Sequence, residues 1–320
     1  MRRVRFFLLV FAVLAAPAFS QGDYPVRPVR IVVPSPPGGG TDIVARVLAQ
    51  HFSKAMGQPF FVENKPGAGN MIGIEFVARA PGDGYTLLFV ASTLALNSVL
   101  YKKVPYDPVR DFTPITLAAT APNVLIVNPA LPAQSLAEFI ALAKKKPGAL
   151  SYGTPGIGTS PHLSMELLKS LAGIDIQHVP YRGTAAAVTD VIGGQIAATF
   201  ANALTAKPQV DSGRVRALAV SGPKRIEALA AVPPVAEAGV PGYEAMQWYG
   251  LVAPAGTPAP VIARLNSEAV KALQSDEMRE KLALDGAQPV GSSPSEFAAL
   301  IKSELEKWAR VARSAGIEQQ

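Results

Sequence analysis

Short apolar runs alternate along the chain with longer stretches whose apolar residues recur every three or four positions, a pattern that predicts an α/β protein with largely parallel sheets. Arg30 to Pro34 is a short Val/Ile strand, and Thr41 to Met56 follows with Val44, Val47, Leu48 and Phe52 spaced along one helical face. Phe60 to Glu63 returns as a strand. Further strands are predicted at Tyr85 to Val90, Val124 to Val127, Ile196 to Phe200 and Val215 to Val220. Amphipathic helices are predicted at Leu136 to Lys145 and Ala259 to Gln274, and a long closing helix at Glu296 to Ala315. The Pro/Gly clusters at Pro233 to Pro241 and Ala253 to Pro260 punctuate the chain.

The pattern repeats itself. Pro37-Gly38-Gly39-Gly40-Thr41-Asp42 has a counterpart 118 residues on in Pro155-Gly156-Ile157-Gly158-Thr159-Ser160. In both places a short strand leads into a Gly-rich turn and an apolar-periodic helix leaves it. Gly57 and Gly67 are echoed by Gly173 and Gly183 at an offset of 116, each pair bracketing another strand. The slip from 118 to 116 predicts a helix or turn shorter by two residues, and the echo as a whole predicts two similar lobes.

Composition narrows the class. Arg2, Arg3 and Arg5 precede an apolar run from Phe6 to Ala16, and Ala18 and Ser20 occupy the small-residue positions of a cleavage site, so residues 1–20 are expected to be a secretory signal peptide with the mature chain starting at Gln21. The run is short of the roughly 20 apolar residues that span a bilayer. Removing the leader takes away three of the 30 basic residues and none of the 24 acidic ones, which leaves a formal charge of +3 and no nucleic-acid footprint. Lys144, Lys145 and Lys146 read as a solvated helix end. With no cysteine, disulfides, thiolate metal sites, cysteine nucleophiles and a lipoprotein anchor are excluded. A mature chain of 300 residues usually divides its core into more than one domain.

The Gly-rich turns carry the candidate chemistry. A turn that opens a helix leaves backbone N–H groups unpaired and presents partial positive charge, so it attracts anions without Lys or Arg. Thr41 or Asp42, and Thr159 or Ser160, are suitable N-caps, and the glycines allow close approach of a ligand. Four or five hydrogen bonds to a carboxylate gross roughly 10 kcal/mol, which after the cost of association is compatible with micromolar binding. Competing motifs are weak: Gly67-Ala68-Gly69 with Gly73 only loosely resembles a dinucleotide loop, and no G-x-S-x-G, G-x-x-x-x-G-K-[ST] or H-E-x-x-H is present. Ser160 and His162, two residues apart on a first turn, diverge by about 200° and make no nucleophile–base pair. His51, His162 and His178 lack metal-ligand spacing, and neither metal nor cofactor is expected.

These residues resemble the substrate receptors of tripartite tricarboxylate transporters, also called Bug receptors. The matching stretches are Tyr24-Pro25, Ile31-Val32-Val33-Pro34, Pro37 to Asp42, Val62-Glu63-Asn64-Lys65-Pro66-Gly67-Ala68-Gly69 and Asp83-Gly84-Tyr85-Thr86-Leu87-Leu88. They continue with Tyr152-Gly153-Thr154, then Gly156, Gly158, Thr159, His162 and Leu163, then Val179-Pro180-Tyr181-Arg182-Gly183. Gly213, Arg216-Ala217-Leu218-Ala219-Val220, Lys224-Arg225 and Glu237-Ala238-Gly239-Val240-Pro241-Gly242 close the series.

The resemblance implies an α/β, two-lobed periplasmic binding protein of type II topology with two crossing strands, placed near Thr120 to Val124 and Gln247 to Val252. Lobe one is then 21–122 plus 248–320 and lobe two 123–247. It implies an exported, monomeric, non-enzymatic receptor that closes on a small dicarboxylate, tricarboxylate or aromatic carboxylate and hands it to a membrane permease, with no nucleic-acid partner. The same closure could serve a sensory partner, and a periplasmic hydrolase is the reading from another class. Expected ligand contacts are Pro37, Gly38, Gly39, Thr41, Asp42, Ser92 and Thr93 from lobe one, and Thr154, Gly156, Thr159, Ser160, His162, Tyr181, Arg182, Gly183, Thr184 and Asn202 from lobe two. Where many relatives read Phe-Asp-Asn, this chain reads Phe200-Ala201-Asn202, which removes a carboxylate and disfavours an amino-acid ligand.

Overall fold

The longest strand organises the rest of the chain. In the computed structural model, which describes residues 24–181, 183–284, 286–314, 316–317 and 319, it is the fourth strand, β4 (Phe112–Val127). Its first part pairs with β9 (Met246–Pro254), from Phe112 opposite Pro254 to Pro122 opposite Met246. From Asn123 onward it pairs instead with β7 (Ala198–Asn202) and β8 (Arg216–Val220). One strand therefore belongs to both lobes, and it changes partners beside a proline that has no N–H to give to a ladder.

Each lobe is built on the same three-strand unit. In lobe one, β1 (Val29–Val33) lies between parallel β2 (Phe60–Asn64) and β3 (Thr86–Ala91), and β3 joins β9 antiparallel. In lobe two, β5 (Ser151–Thr154) lies between parallel β6 (Gln177–Pro180) and β7, which joins β4 antiparallel. A short β10 (Gln288–Pro289) also pairs with β4.

Strand direction follows from these pairings and fixes where the loops go. β4 runs from lobe one into lobe two. β3 and β4 are both antiparallel to β9, so β1 and β3 run the same way as β4 and end facing lobe two. β7 opposes β4, and β5 follows β7, so both end facing lobe one. The carboxyl ends of the two sheets therefore face each other across the junction, the place where open α/β sheets bind ligands. Register agrees: Ala91 ends β3 opposite Tyr249, and Asn202 ends β7 opposite Asn123.

The two passages of the chain between lobes are tied together by one side chain. Ser221, wholly buried, accepts the Asn123 N–H on its hydroxyl oxygen at 2.8 Å and donates its hydroxyl to the Ala245 carbonyl at 2.6 Å. Its own N–H donates to the Asn123 carbonyl at 2.8 Å. The tie thus reaches the second segment at Ala245, two residues before the expected crossing at Gln247 to Val252.

Most predicted elements are present: α4 (Leu136–Lys145) has the predicted bounds, and α1 (Gly40–Met56), α8 (Ala259–Leu273) and strands β1, β2, β3, β7 and β8 have shifted ends. Val124 to Val127 is only the last quarter of β4. The final helix, α10 (Pro294–Ser314), begins two residues early because Ser293 and Glu296 form a reciprocal capping box: the Ser293 N–H donates to the Glu296 carboxylate at 2.8 Å, and the Glu296 N–H donates to the Ser293 hydroxyl at 3.3 Å. Its first half packs Phe297 and Ile301 beside Trp248 and Val252, and its second half packs Trp308 and Val311 beside Leu163 and Leu167 of the other lobe. Gly250 of β9 is required there, since a Cβ at that position would lie 2.1 Å from the Phe297 ring.

Candidate functional site

Helix starts converge on the junction because each follows a strand that ends there. α1 follows β1, α3 (Thr93–Leu100) follows β3, α5 (Ser160–Ala172) follows β5, α6 (Thr184–Ile192) follows β6 and α7 (Ala203–Asp211) follows β7. The first N–H groups of a helix have no partner within it. The earliest intrahelical-type bonds are Ile43 N–H to Gly39 in α1 and Leu163 N–H to Thr159 in α5. The amides of Gly40, Thr41 and Asp42 are therefore available on one side, and those of Ser160 and His162 on the other, where Pro161 has none to offer.

The two Gly-rich loops have one backbone design, in a register that sequence comparison misplaced. Gly38 and Gly158 both have positive φ, +87° and +82°, and the next residues, Gly39 and Thr159, are extended N-caps at φ −83° and −77°. The helix starts are thus 120 residues apart, not 118. Gly57 and Gly173 end the helices in the left-handed region, and Gly67 and Gly183 open the next turn at φ 128° and 116°. The whole slip of four residues is taken up inside the helix, 17 residues in α1 and 13 in α5, which is about one helical turn and keeps the same face toward the sheet. A slip of two would have turned that face away.

This register corrects the caps. Neither Thr41 nor Asp42 is an N-cap, and Ser160 is already the first helical residue. Gly39 and Thr159 hold the cap positions without a side-chain bond to the helix. The loops are instead pinned by the side chain four residues after the positive-φ glycine. The Gly38 N–H donates to Asp42 Oδ2 at 3.0 Å, and the Gly158 N–H donates to His162 Nδ1 at 3.4 Å.

Asp42 is a hub. It is 3 % exposed, its Oδ2 also accepts from Arg46 Nε at 2.9 Å, and its Oδ1 accepts from Asn64 Nδ2 at 2.9 Å. Asn64 Nδ2 donates further to the Ser35 carbonyl at 3.0 Å, and Arg46 Nη2 donates to Asn64 Oδ1 at 3.0 Å. Burial pushes the Asp42 carboxyl up, but the bonds from Arg46, the Gly38 amide and Asn64, with the Arg46 charge, hold it below 3.8. The carboxylate is thereby committed to the loop, and Arg46 offsets its charge beside the helix start. The Ser35 hydroxyl, in the same loop, has no hydrogen-bond partner among the described residues.

His162 is pinned from behind. Its ring lies 4.5 Å from that of His178, which stacks in turn on Tyr152 at 5.0 Å. His178 Nε2 meets Thr154 Oγ1 at 2.6 Å, and Thr154 Oγ1 also touches the Gly156 carbonyl and N–H, both at 3.2 Å. Burial, with His178 and Lys169 nearby, pushes His162 down to about 3, so the ring is neutral and Nδ1 stays an acceptor for the loop amide. Burial lowers His178 also, against the pull of Glu166. Glu166 closes the chain on the Tyr152 hydroxyl and Lys169 Nζ.

The remaining predicted residues fall around the same junction. Pro37, Gly38 and Gly39 are exposed, Thr41 is buried, and Gly156 and Thr159 are half-buried, the Thr159 hydroxyl donating to the Gly156 carbonyl at 2.7 Å. Ser92 is buried at the start of α3, and Thr93 Oγ1 accepts from Asn70 Nδ2 at 3.1 Å. Asn202 caps α7 by accepting from the Thr205 N–H at 3.1 Å. Tyr181 donates its hydroxyl to Asp190 at 2.7 Å, while Gly183 and Thr184 open α6. Arg182 and the leader lie outside the described residues. Ala201 is wholly buried in an apolar cluster with Val124 and Val220.

Sequence reasoning missed three residues that position the loops: Asn64, His178 and Asn123. Asn123 is 2 % exposed at the sheet change and donates from Nδ2 to Ser160 Oγ at 2.8 Å, linking the hinge to the second loop. Among the described residues, no cluster of His, Cys, Asp or Glu could hold a metal ion, and no helix is long and apolar enough to cross a membrane.

The sequence model described as tripartite tricarboxylate transporter family receptor matches residues 44–317. The chain is 39 % identical over 305 residues to protein BugT of Bordetella pertussis, covering 95 % of this chain and 93 % of that one. Among solved structures, it is similar to an R. palustris protein solved with adipate, at 39 % identity and a TM-score of 0.82 over 92 % of this chain and 99 % of that one. It is also similar to MatC from Rhodopseudomonas palustris with bound malate, at 34 % identity and a TM-score of 0.78 over 90 % and 99 % of the two chains.

Proposed function

The chain belongs to the tripartite tricarboxylate transporter receptor family, and from that premise we propose that it is an exported periplasmic receptor that closes on a small carboxylate and delivers it to a membrane permease. The observation that carries this reading is the pair of pinned loops, Gly38 to Asp42 and Gly158 to His162, at helix starts that face each other across the junction. Their amides suit an anion without any basic side chain. Lobe one comprises 21–122 and 248–320 and lobe two 123–247, apart from the end of α10, which packs across. We place the ligand contacts at Pro37, Gly38, Gly39, Thr41, Asp42, Ser92 and Thr93 on lobe one, and at Thr154, Gly156, Thr159, Ser160, His162, Tyr181, Arg182, Gly183, Thr184 and Asn202 on lobe two. The relatives solved with adipate and malate support a carboxylate ligand.

Closure is the step that distinguishes a receptor from a rigid binder, since loops on opposite lobes reach one small molecule only by a hinge motion. Small-angle scattering of the exported chain with saturating malate or adipate is expected to show a smaller radius of gyration than the free protein. Binding shown by calorimetry with an unchanged scattering profile contradicts the closing step. Turnover of either compound contradicts the non-enzymatic reading.

A further inference from the structure

Beside the first loop lies a cavity of about 260 Å³ to which both lobes contribute. Its walls are Ile43 and Val44 from the first turn of α1, Leu204 from α7 and Tyr249 from β9, with Leu282 of α9 (Asp276–Leu284). Gly40, whose amide is one of those free at the start of α1, is also in the lining. A carboxylate held on that amide therefore has an apolar hollow as its neighbour. Leu204 is 46 % exposed and is the contribution of lobe two to this wall.

We propose that this cavity takes the body of the ligand, and that the preferred solute is a monocarboxylate carrying an apolar six-membered ring. Size agrees: a hollow of about 150 Å³ lined by Leu, Ile and Phe admits benzene, and this one leaves room for a short linker as well. Polarity argues against a second carboxylate pointing inward, which would be desolvated against Ile43, Val44 and Leu204. The one charged side chain in the lining, Lys281, is already paired with Glu277 on its own helix at 3.2 Å. Larger hollows elsewhere, such as that lined by Arg30, Glu75, Phe76 and Arg79, lie away from the helix starts.

The inference rests on the receptor reading, and the test separates the two. Calorimetric titration of the full exported chain uses cyclohexanecarboxylate, benzoate and 3-phenylpropionate against malate and adipate. Ring monocarboxylates are expected to bind at least tenfold more tightly than malate, since each buried methylene is worth about fourfold in affinity. Leu204→Ser should weaken them about tenfold and Leu204→Met should restore most of the loss; because Leu204 is half exposed, both variants are expected to fold. Malate or adipate binding as tightly as the ring compounds, or ring affinity unchanged in Leu204→Ser, overturns the cavity assignment and leaves the receptor standing. Failure of every carboxylate to bind the folded chain overturns both.

Discussion

Replacing Asp42 should damage the first loop whether the new residue is Ala or Asn. The carboxylate accepts three hydrogen bonds, from the Gly38 amide, Arg46 and Asn64. Bonds to a charged group contribute about 1.5 to 3 kcal/mol each, but the loss is smaller than their sum. Arg46 is half exposed and regains water, and Asn64 keeps the Ser35 carbonyl. A net cost of about 2 to 3 kcal/mol remains, enough to lower the melting temperature by roughly 5 °C in a domain of this size. Asn caps helices well, and were Asp42 a cap the exchange would be mild. Here Asn has one acceptor oxygen for three donors, and its amide group must face Arg46, Asn64 or Gly38 as a second donor. Asp42→Asn is therefore expected to cost as much as Asp42→Ala. The carboxyl titrates below 3.8 in the folded chain, so its contribution is complete above that pH and is lost as the pH falls through the lower folded value. Urea melts at neutral pH and near pH 3 measure both effects: the gap between wild type and Asp42→Ala should narrow in acid. An Asp42→Asn variant as stable as wild type at neutral pH refutes the hub.

His162 gives a dependence of the same sign in a higher window. Its folded value of about 3 lies below the ordinary 6.5, so an unfolded chain takes up a proton first as the pH drops. Stability from this group is present above 6.5 and declines between 6.5 and about 3, by about 2 kcal/mol at pH 5. Denaturation at pH 7 and pH 5 should show a steeper fall in wild type than in His162→Gln; equal slopes contradict a neutral buried ring. Ser221→Ala removes the acceptor of the buried Asn123 amide and the donor to Ala245, and a cost of about 1 to 3 kcal/mol in chemical unfolding is expected. Full stability in that variant means the two passages are held together by other means.

The strand-loop-helix-strand echo was legible because glycine marks it: Gly38, Gly57 and Gly67 and their partners Gly158, Gly173 and Gly183 all occupy left-handed or otherwise glycine-favouring backbone. The register was not legible, because the letters Gly-Gly-Gly-Thr and Gly-Ile-Gly-Thr align by identity at an offset two residues away from that of the helix starts. Only the positive φ of Gly38 and Gly158 shows which glycines correspond. The pins were hidden for a related reason. Asp42 and His162 hold equivalent places with unlike chemistry, so no shared letter marks them, and their partners Asn64 and His178 come from the following strands. β4 was read only at its end because Pro114 and Pro122 interrupt its apolar run, although an edge between two sheets tolerates a missing N–H. The doubling of α10 across the lobes could not be read from its period, which records that one face is buried and not against which lobe.

The central claim is that backbone amides of the paired loops hold a carboxylate, and Gly39→Val tests it most directly. Gly39 has φ −83°, an ordinary value for any residue, and a Cβ there meets nothing within 4 Å, so the variant should fold. Its side chain would stand over the free amides at the start of α1. Calorimetry is run with whichever of malate, adipate and benzoate wild type binds most tightly, alongside a melt of each protein. The expected result is an unchanged melt and a loss of affinity of at least a hundredfold, about 3 kcal/mol. A variant that melts like wild type and binds like wild type contradicts the claim.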